Sequence, residues 1–346
     1  MRRALVTGGS GYFGSVLVAE LAANGYTVRN LDLNAPEPGA VTLEHIGGDI
    51  RDYDTIRGAC ADVDVVFHNV AQQPLARDKD LIESVNVGGT GNMLRAAADA
   101  GVAKVVFTSS SAVFGATTKS PVTESTPTAP AELYGQAKAR AETLCAEAVA
   151  NGLDVSIIRP RTVLGHGRLG IFGILFDWVA DGAAVFVFGK GDNRYQFVHA
   201  NDLAAACRLA GEQSGPGTYN IGAAEFGTMR ETLQALVDHA GTGSAVRSLP
   251  IRPASMAMSV LSRVGLAPFG PYHWLVYGKE LWFDITKAEA DLGWAPRYSN
   301  AAMMIESYEW FLAHRAQTDD PTRSLHQRSS RQGALRVLKR VARALA

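Results

Sequence analysis

A doubly wound α/β fold is what this sequence predicts, and three observations predict it. Short runs rich in Val and Ile alternate with helix-patterned segments through the first 160 residues. Those runs are apolar on both faces, as parallel strands covered by helices must be. The first of them runs straight into glycines at positions 8, 11 and 14 and then into an amphipathic segment. Repeated strand–helix units imply right-handed crossovers, and hence one parallel sheet with helices on both sides.

Taken in order, the strands read "RALVTGG", "YTVRNLD", "DVVFHNV", "AKVVFTSS" and "LDVSIIRP". A helix spans Ser15 to Asn24 and stops at Asn24-Gly25; a long Ala-rich helix precedes the last strand. After Pro160 the rhythm changes to glycine-punctuated loops ("GHGRLGIFG", "FGKGDNRYQF") and separate helices. The expected organisation is therefore a dinucleotide-binding domain over 1–160 and a smaller substrate-binding lobe over 161–316, partly interleaved with the sheet. A polar linker with a basic amphipathic helix follows over 317–346. In that helix Leu335, Leu338, Val341 and Leu345 fall at helical spacing, with Arg336, Lys339, Arg340 and Arg343 between them.

Composition narrows the function. The net charge is −1, from 33 Lys and Arg against 34 Asp and Glu, so no basic surface for nucleic acid is expected. No apolar run reaches the length of a membrane span. The opening "MRRALVTGG" breaks into glycines where a secretory signal would continue apolar. Cys60, Cys145 and Cys207 are far apart and form no CxxC pair. They read as reduced, buried thiols of a cytoplasmic protein, with no metal site.

The glycines carry the first chemical signal. Gly8 allows a tight turn out of the strand, Gly11 lets backbone approach a pyrophosphate, and Gly14 lets the helix pack closely on the sheet. The phosphates would sit at the helix N-terminus, where free N–H groups favour anions. Asp32 ends the second strand, where a carboxylate binds both ribose hydroxyls of NAD and repels the 2′-phosphate of NADP. Leu33 and Asn34 follow it, with no arginine.

A second signal is the pair Tyr134 and Lys138, four residues apart and so on one helix face. Oxidising a carbinol requires removal of its hydroxyl proton. Tyrosine, with a free pKa of roughly 10, is a poor base at neutral pH. A neighbouring ammonium stabilises the phenolate and lowers that value. The same lysine can bind ribose hydroxyls, and a serine from "TSSSAVFG" can hold the substrate oxygen.

The set Gly8, Gly11, Gly14, Asp32, Ser110, Tyr134 and Lys138 resembles the extended short-chain dehydrogenase/reductases, the NAD-dependent epimerase/dehydratase family. The likeness runs from about residue 2 to 315 and implies a Rossmann fold, NAD and a homodimer. The resemblance adds Tyr12 and Phe13 of the glycine loop to the cofactor set. It adds Asp49 and Ile50 of "GGDIRD" beside the adenine, and Val70 and Ala71 of "HNVA" beside the phosphates. It makes Asn86 structural and picks Ser110 as the catalytic hydroxyl by its register from Gly115, leaving Ser109 and Ser111 to satisfy backbone or cofactor groups. Phe114 stands where relatives often have tyrosine.

Departures from the family pattern narrow the reaction. Dehydratases place an Asp-Glu pair after the catalytic hydroxyl; here Ser111 and Ala112 stand there, so dehydration is not expected. Ser111 is a candidate substrate residue. Tyr195 and Gln196 replace the Arg-Asp pair of nucleotide-sugar enzymes. Arg194, one residue early, is either a phosphate ligand or a solvated loop residue. Arg161 is a candidate anion ligand, and His166 a plain loop histidine. The expected function is an NAD-dependent epimerase or oxidoreductase acting on a carbinol or ketone carbon, with a nucleotide sugar favoured. The alternative is a 3-hydroxy sterol, lipid or acyl dehydrogenase, since "ELWFDITKAEADLGW" is similar to the tail of that branch. Trp178, Trp274 and Trp282 then either meet a greasy substrate or belong to the core. A non-catalytic NAD sensor is the third reading, against which the retained Tyr134 and Lys138 stand. The basic tail has three readings: a frayed soluble helix, a peripheral membrane contact, or a docking segment.

Overall fold

The computed structural model describes residues 2–37, 41, 43–72, 78–115, 119–250, 256, 278–317, 339 and 342–343. Among these, seven parallel strands form the main sheet in the order β10-β6-β5-β4-β1-β2-β3. They are β1 (Arg3–Thr7), β2 (Thr27–Asp32), β3 (Glu44–Gly47), β4 (Val65–His68), β5 (Lys104–Thr108), β6 (Val155–Pro160) and β10 (Gly217–Ile221). The five strands read from the sequence are all present. β3 and β10 were not foreseen, because each is short and β3 is an edge strand with no fully buried residue. β10 shows how the chain beyond Pro160 returns: it pairs with β6 in parallel, Tyr219 against Ile158.

The strands split the core by their pleat. Ala4 and Val6 of β1 and Phe67 of β4 point into one cluster. Leu5 and Val66 point into the other, beside Met93 and Phe107. On the first face α1 (Tyr12–Ala23) packs against α7 (Ala200–Glu212). On the second lie α2 (Tyr53–Ala59), α4 (Gly89–Asp99) and α5 (Leu133–Ala150), with α3 (Lys79–Glu83) against α5. Helix α1 starts at Tyr12, earlier than read from the sequence, because Gly11 already serves as its N-cap. All three cysteines are buried and unbridged.

The remaining elements cap the C-terminal edge of the sheet. Strand β7 (Thr162–Leu164) pairs with β9 (Phe197–His199), and β8 (Val185–Phe188) with β11 (Val246–Leu249). Around them lie α6 (Phe172–Ala180), α8 (Met229–Ala240) and α10 (Asn300–His314), while α9 (Thr286–Leu292) packs on β10 and α7. Trp178 is core here, and Trp282 faces Phe226; Trp274 lies outside the described residues.

Of the basic tail, Lys339, Ala342 and Arg343 are described, and they rest on this chain. Lys339 Nζ and Arg343 Nη2 pair with Asp181 at 2.7 and 3.0 Å, and Ala342 is buried. Leu335, Arg336, Leu338, Arg340, Val341 and Leu345 fall outside the described residues. Among the described residues no helix is long and apolar enough to cross a membrane, and no cluster of metal-ligating side chains occurs.

Candidate active site

The C-terminal ends of β1, β2, β4, β5 and β6 open into one cleft of about 650 Å³, within the range of small-molecule sites. Its floor is the glycine loop. Gly8 leaves β1 with φ +73°, a conformation that a side chain would strain. A Cβ on Gly14 would lie 1.9 Å from the Gly8 carbonyl oxygen, so α1 can begin this close to the loop only with glycine there. The first intrahelical bond runs from Ser15 N to Gly11 O, 2.9 Å. The N–H groups of Tyr12, Phe13 and Gly14 precede it, and no side chain caps them. Such a helix start favours an anion.

Asp32 sits at the tip of β2 in the cleft wall. Its carboxylate accepts from Ser10 N at 3.1 Å and Asn34 N at 3.0 Å. Asp49 and Ile50 line the same end. Asp49 is gripped by Arg51, whose Nε lies 2.9 Å away, and this contact holds the carboxyl below its usual range. Val70 and Ala71 line the cleft beside the glycine loop, where a Cβ on Gly8 would lie 3.2 Å from Val70. Asn86, at a π-turn ahead of α4, holds this segment: its Oδ1 accepts from Gln72 N at 2.6 Å and its Nδ2 donates to Gln72 O at 3.2 Å.

The chemistry-bearing side chains close the other end. Glu132 caps α5, accepting from Tyr134 N and Gly135 N at 2.8 and 2.7 Å. That cap starts the helix so that Tyr134 and Lys138 both line the cleft. Lys138 is buried; its Nζ donates to Thr108 O at 2.7 Å and lies over the Phe107 ring. Burial pushes its pKa down to about 8. His68, buried between Thr7 and Thr90, is pushed down to about 3 by burial and then by Lys138, so it is neutral and adds no positive charge at pH 7. Ser110 Oγ accepts from Ala112 N at 3.2 Å, which leaves its O–H proton for a ligand. Ser111 is buried and lines the cleft beside it.

Three placements add detail that the sequence did not give. Ser109 lines the cleft, but its hydroxyl bonds to a side chain: it donates to Glu142 Oε1 at 2.5 Å. Glu142 also receives Arg159 through Nε and Nη2, at 2.9 and 2.6 Å, so this buried group anchors α5 to β6. Arg194 does not line the described cleft. Its guanidinium lies over Phe226 and Trp282, 4.7 and 4.5 Å from their ring centroids, where cation–π contact holds it. His166 is an exposed turn residue, as read from the sequence, and its Nε2 lies 2.7 Å from Glu306.

Arg161 does line the cleft and is almost wholly buried. Its Nε donates to Gln196 O at 3.2 Å, and its guanidinium stands 4.8 Å from the Tyr195 ring and 5.3 Å from that of Phe283. Arg168 also lines the cleft, and the sequence reading missed it. Nothing in its local sequence marks it, since its surroundings come from α1 and α5.

Together these features fit a dinucleotide. An uncapped helix start suits a pyrophosphate, glycine removes the side chains that would block its approach, and Asp32 offers a carboxylate at the tip of β2. The comparisons agree. Residues 4–222 match the model of the NAD dependent epimerase/dehydratase family, and the chain belongs to that family. NAD is its cofactor, and the family consists of NAD-dependent enzymes of the extended short-chain dehydrogenase/reductase type.

More particularly, the chain is 52% identical over 339 residues to the protein y4nG of Sinorhizobium fredii, covering 98% of this chain and 86% of that one. It is 30% identical to a UDP-glucose 4-epimerase of Mycolicibacterium smegmatis, covering 89% of this chain and 98% of the relative. A 3 beta-hydroxysteroid dehydrogenase/Delta 5-->4-isomerase of Mycobacterium tuberculosis is 31% identical, with 90% of each chain covered. Among solved structures, a UDP-glucose 4-epimerase from Stenotrophomonas maltophila with bound NAD superposes with a TM-score of 0.73. It is 25% identical, over 91% of this chain and 99% of that one.

Proposed function

We propose that this protein is an NAD-dependent epimerase or oxidoreductase acting on a carbinol or ketone carbon of a nucleotide sugar. The observation that carries the proposal is the shared cleft: Ser110, Tyr134 and Lys138 line the same cavity as the glycine loop and Asp32. NAD, when bound, supplies a nicotinamide carbon that takes a hydride. The residues of this chain do the rest. Ser110 donates its O–H to the substrate oxygen and fixes the reacting group. Tyr134 takes the hydroxyl proton at its phenolic oxygen as hydride leaves the carbon; it returns that proton when hydride comes back in epimerisation, and releases it to solvent in net oxidation. Lys138, anchored on Thr108 O, holds a positive charge that makes the phenol a stronger acid.

Two features favour epimerisation or oxidoreduction over loss of water. Ser111 and Ala112 offer no carboxylate beside Ser110. Among the acids of the cleft wall, Glu132 is spent on capping α5. The nucleotide-sugar reading is supported by the mycobacterial epimerase relative and by Arg161, placed to meet a phosphate. The steroid dehydrogenase relative supports net oxidation of a 3-hydroxy substrate instead. The two separate simply: an epimerase consumes no NAD stoichiometrically, whereas a dehydrogenase accumulates NADH. A cytoplasmic homodimer belongs to this reading, with light scattering and cell fractionation as its checks.

The direct test is Tyr134→Phe. We expect turnover of UDP-glucose or its 4-epimer to fall by at least roughly a hundredfold, within the range of general acid–base contributions, while NAD affinity stays within several-fold. Retained turnover removes Tyr134 from its role.

A further inference from the structure

Behind the wall that carries Ser110, one buried carboxylate collects three donors, and the proposed chemistry leaves it unused. Glu142 is almost wholly buried. Its Oε1 accepts from Ser109 Oγ at 2.5 Å and Arg159 Nε at 2.9 Å, and its Oε2 accepts from Arg159 Nη2 at 2.6 Å. Tyr134, Lys138 and Glu142 are spaced four residues apart on α5, so they form one row of the helix surface. That row runs along the end of β5. Lys138 Nζ bonds to Thr108 O, and Glu142 bonds to the hydroxyl of the next residue, Ser109. Ammonium and carboxylate are therefore neighbours, held on separate partners.

Lys138 helps Tyr134 only while it stays charged. Burial pushes its pKa down to about 8, with Cys145 and Glu142 acting in the other direction. That leaves little margin. An ammonium titrating about one unit lower would be half neutral near pH 7, and a neutral amine does not stabilise a phenolate. The groups around it differ in what they can supply. Cys145, on α5, is a thiol that burial pushes up to about 12, so it is uncharged. His68, on β4, is neutral, and protonated it would repel the ammonium. Arg159, on β6, is taken up by Glu142, and Arg168, in the loop after β7, acts on Tyr134 as a cation. Among these groups Glu142 brings the negative charge.

We propose that Glu142 is a positioning residue for the reaction, and that its carboxylate keeps the proton on Lys138 while Tyr134 releases its own to solvent. The inference rests on the reading of Tyr134 as the acid–base group, and not on the identity of the substrate. Arg159 completes the arrangement. Its two bonds fix the carboxylate against β6, so Glu142 acts on the ammonium through space. A direct ion pair would draw Nζ off Thr108 O. Neighbouring positions of the row are about 5–6 Å apart at Cβ, close enough for a charge to matter in a protein interior.

The lysine can be read directly. In NAD-loaded protein carrying isotope-labelled lysine, the Lys138 signal is identified by its loss in Lys138→Met, and its titration is followed by NMR. A Tyr134→Phe background removes the phenol, so no coupled group titrates and no turnover is needed. Glu142→Gln keeps an acceptor for Ser109 and removes the charge. It should lower the Lys138 midpoint by roughly one pH unit. Glu142→Asp should restore part of the loss. Ser109→Ala, which breaks the bond and keeps the charge, should leave the midpoint in place. An unchanged midpoint in Glu142→Gln overturns the inference. An equal shift in Ser109→Ala also overturns it, because the effect would then belong to packing. Should Glu142→Gln fail to fold with Arg159 unpaired, Glu142→Gln/Arg159→Met removes both charges together; it should lower the midpoint by a smaller amount, and an unchanged value overturns the inference.

With Tyr134 intact, the alkaline limb of UDP-glucose turnover should move to lower pH by a similar amount in Glu142→Gln. A uniform loss of rate, with the limb in place, counts as refutation. Absence of turnover in the parent protein refutes the substrate reading alone, and the lysine titration still decides the role of Glu142.

Discussion

Replacing Lys138 with Met tests the electrostatics at the centre of the site, because two opposing effects can be sized from the structure. The Lys138 pKa falls from 10.5 to about 8, so keeping it charged near pH 7 costs the native state about 3 kcal/mol relative to the unfolded chain. Methionine removes that cost and fills a similar volume. It also leaves Thr108 O without its donor, which costs roughly 1–3 kcal/mol. The variant should therefore be about as stable as the parent near pH 7, or slightly more so, while losing turnover.

The sign of the pH dependence follows from proton counts. Between about pH 8 and the unfolded value of 10.5, the unfolded chain holds a proton on Lys138 that the native state has released. The unfavourable contribution of Lys138 therefore fades as pH rises through that window. The buried thiols act oppositely: Cys60 is pushed up to about 11, and Cys145 and Cys207 to about 12. Their contribution is lost once unfolded thiols ionise. Subtracting parent from variant cancels the thiols and isolates Lys138. Urea unfolding of nucleotide-free protein should show the Met advantage shrinking by roughly 2 kcal/mol between about pH 7 and pH 9.5, at unchanged m-value. A gap that stays constant across this range would refute a desolvated ammonium at this position.

Two other substitutions probe the cofactor end. Gly14→Ala puts a Cβ 1.9 Å from Gly8 O, so α1 must move off the loop. We expect a loss of at least roughly 1–3 kcal/mol of stability by thermal or urea unfolding, with NAD affinity falling alongside. Asp32→Ala removes the carboxylate that repels a 2′-phosphate, and it should narrow the ratio of NAD to NADP affinity in fluorescence titrations. An unchanged ratio counts against Asp32 as the discriminating residue.

What the sequence made legible follows locality. The glycine loop could be read because its requirements lie within one strand–turn–helix unit: Gly14 must be small on account of Gly8, six residues away. Tyr134 and Lys138 could be paired because one helical turn separates them. Asn86 could be named as structural, but its bonds to Gln72 needed the fold. Ser109 was misread because its true partner, Glu142, lies on α5 and is itself held by Arg159 of β6. For Arg194 the sequence left two readings open, and the exposed side chain is held by aromatic neighbours, Phe226 and Trp282, that come from distant loops. Strand β10 escaped because five residues that alternate weakly carry little signal until β6 is there to pair with.

The missed Arg168 belongs to a wider arrangement of charge around the cleft. Around the cleft the chain buries Lys138 and Arg161 and half-buries Arg168, and among the described residues none of the three forms a salt bridge. A protein selected for stability alone would pair or delete such groups, since an unpaired buried charge is among the costliest features a fold can hold. The buried ion pair Arg159–Glu142, just behind the same wall, shows that this fold does pair a buried arginine where no ligand is expected. The unpaired cations are therefore best understood as half of a charge arrangement that anionic ligands complete. Ligand-linked stability should then be large: at a hundredfold excess over its Kd, a ligand adds about 2.7 kcal/mol. NAD and a doubly anionic substrate, added together, should raise the melting temperature by less than the sum of their separate effects where they neutralise the same cations, and by about the sum where each meets its own.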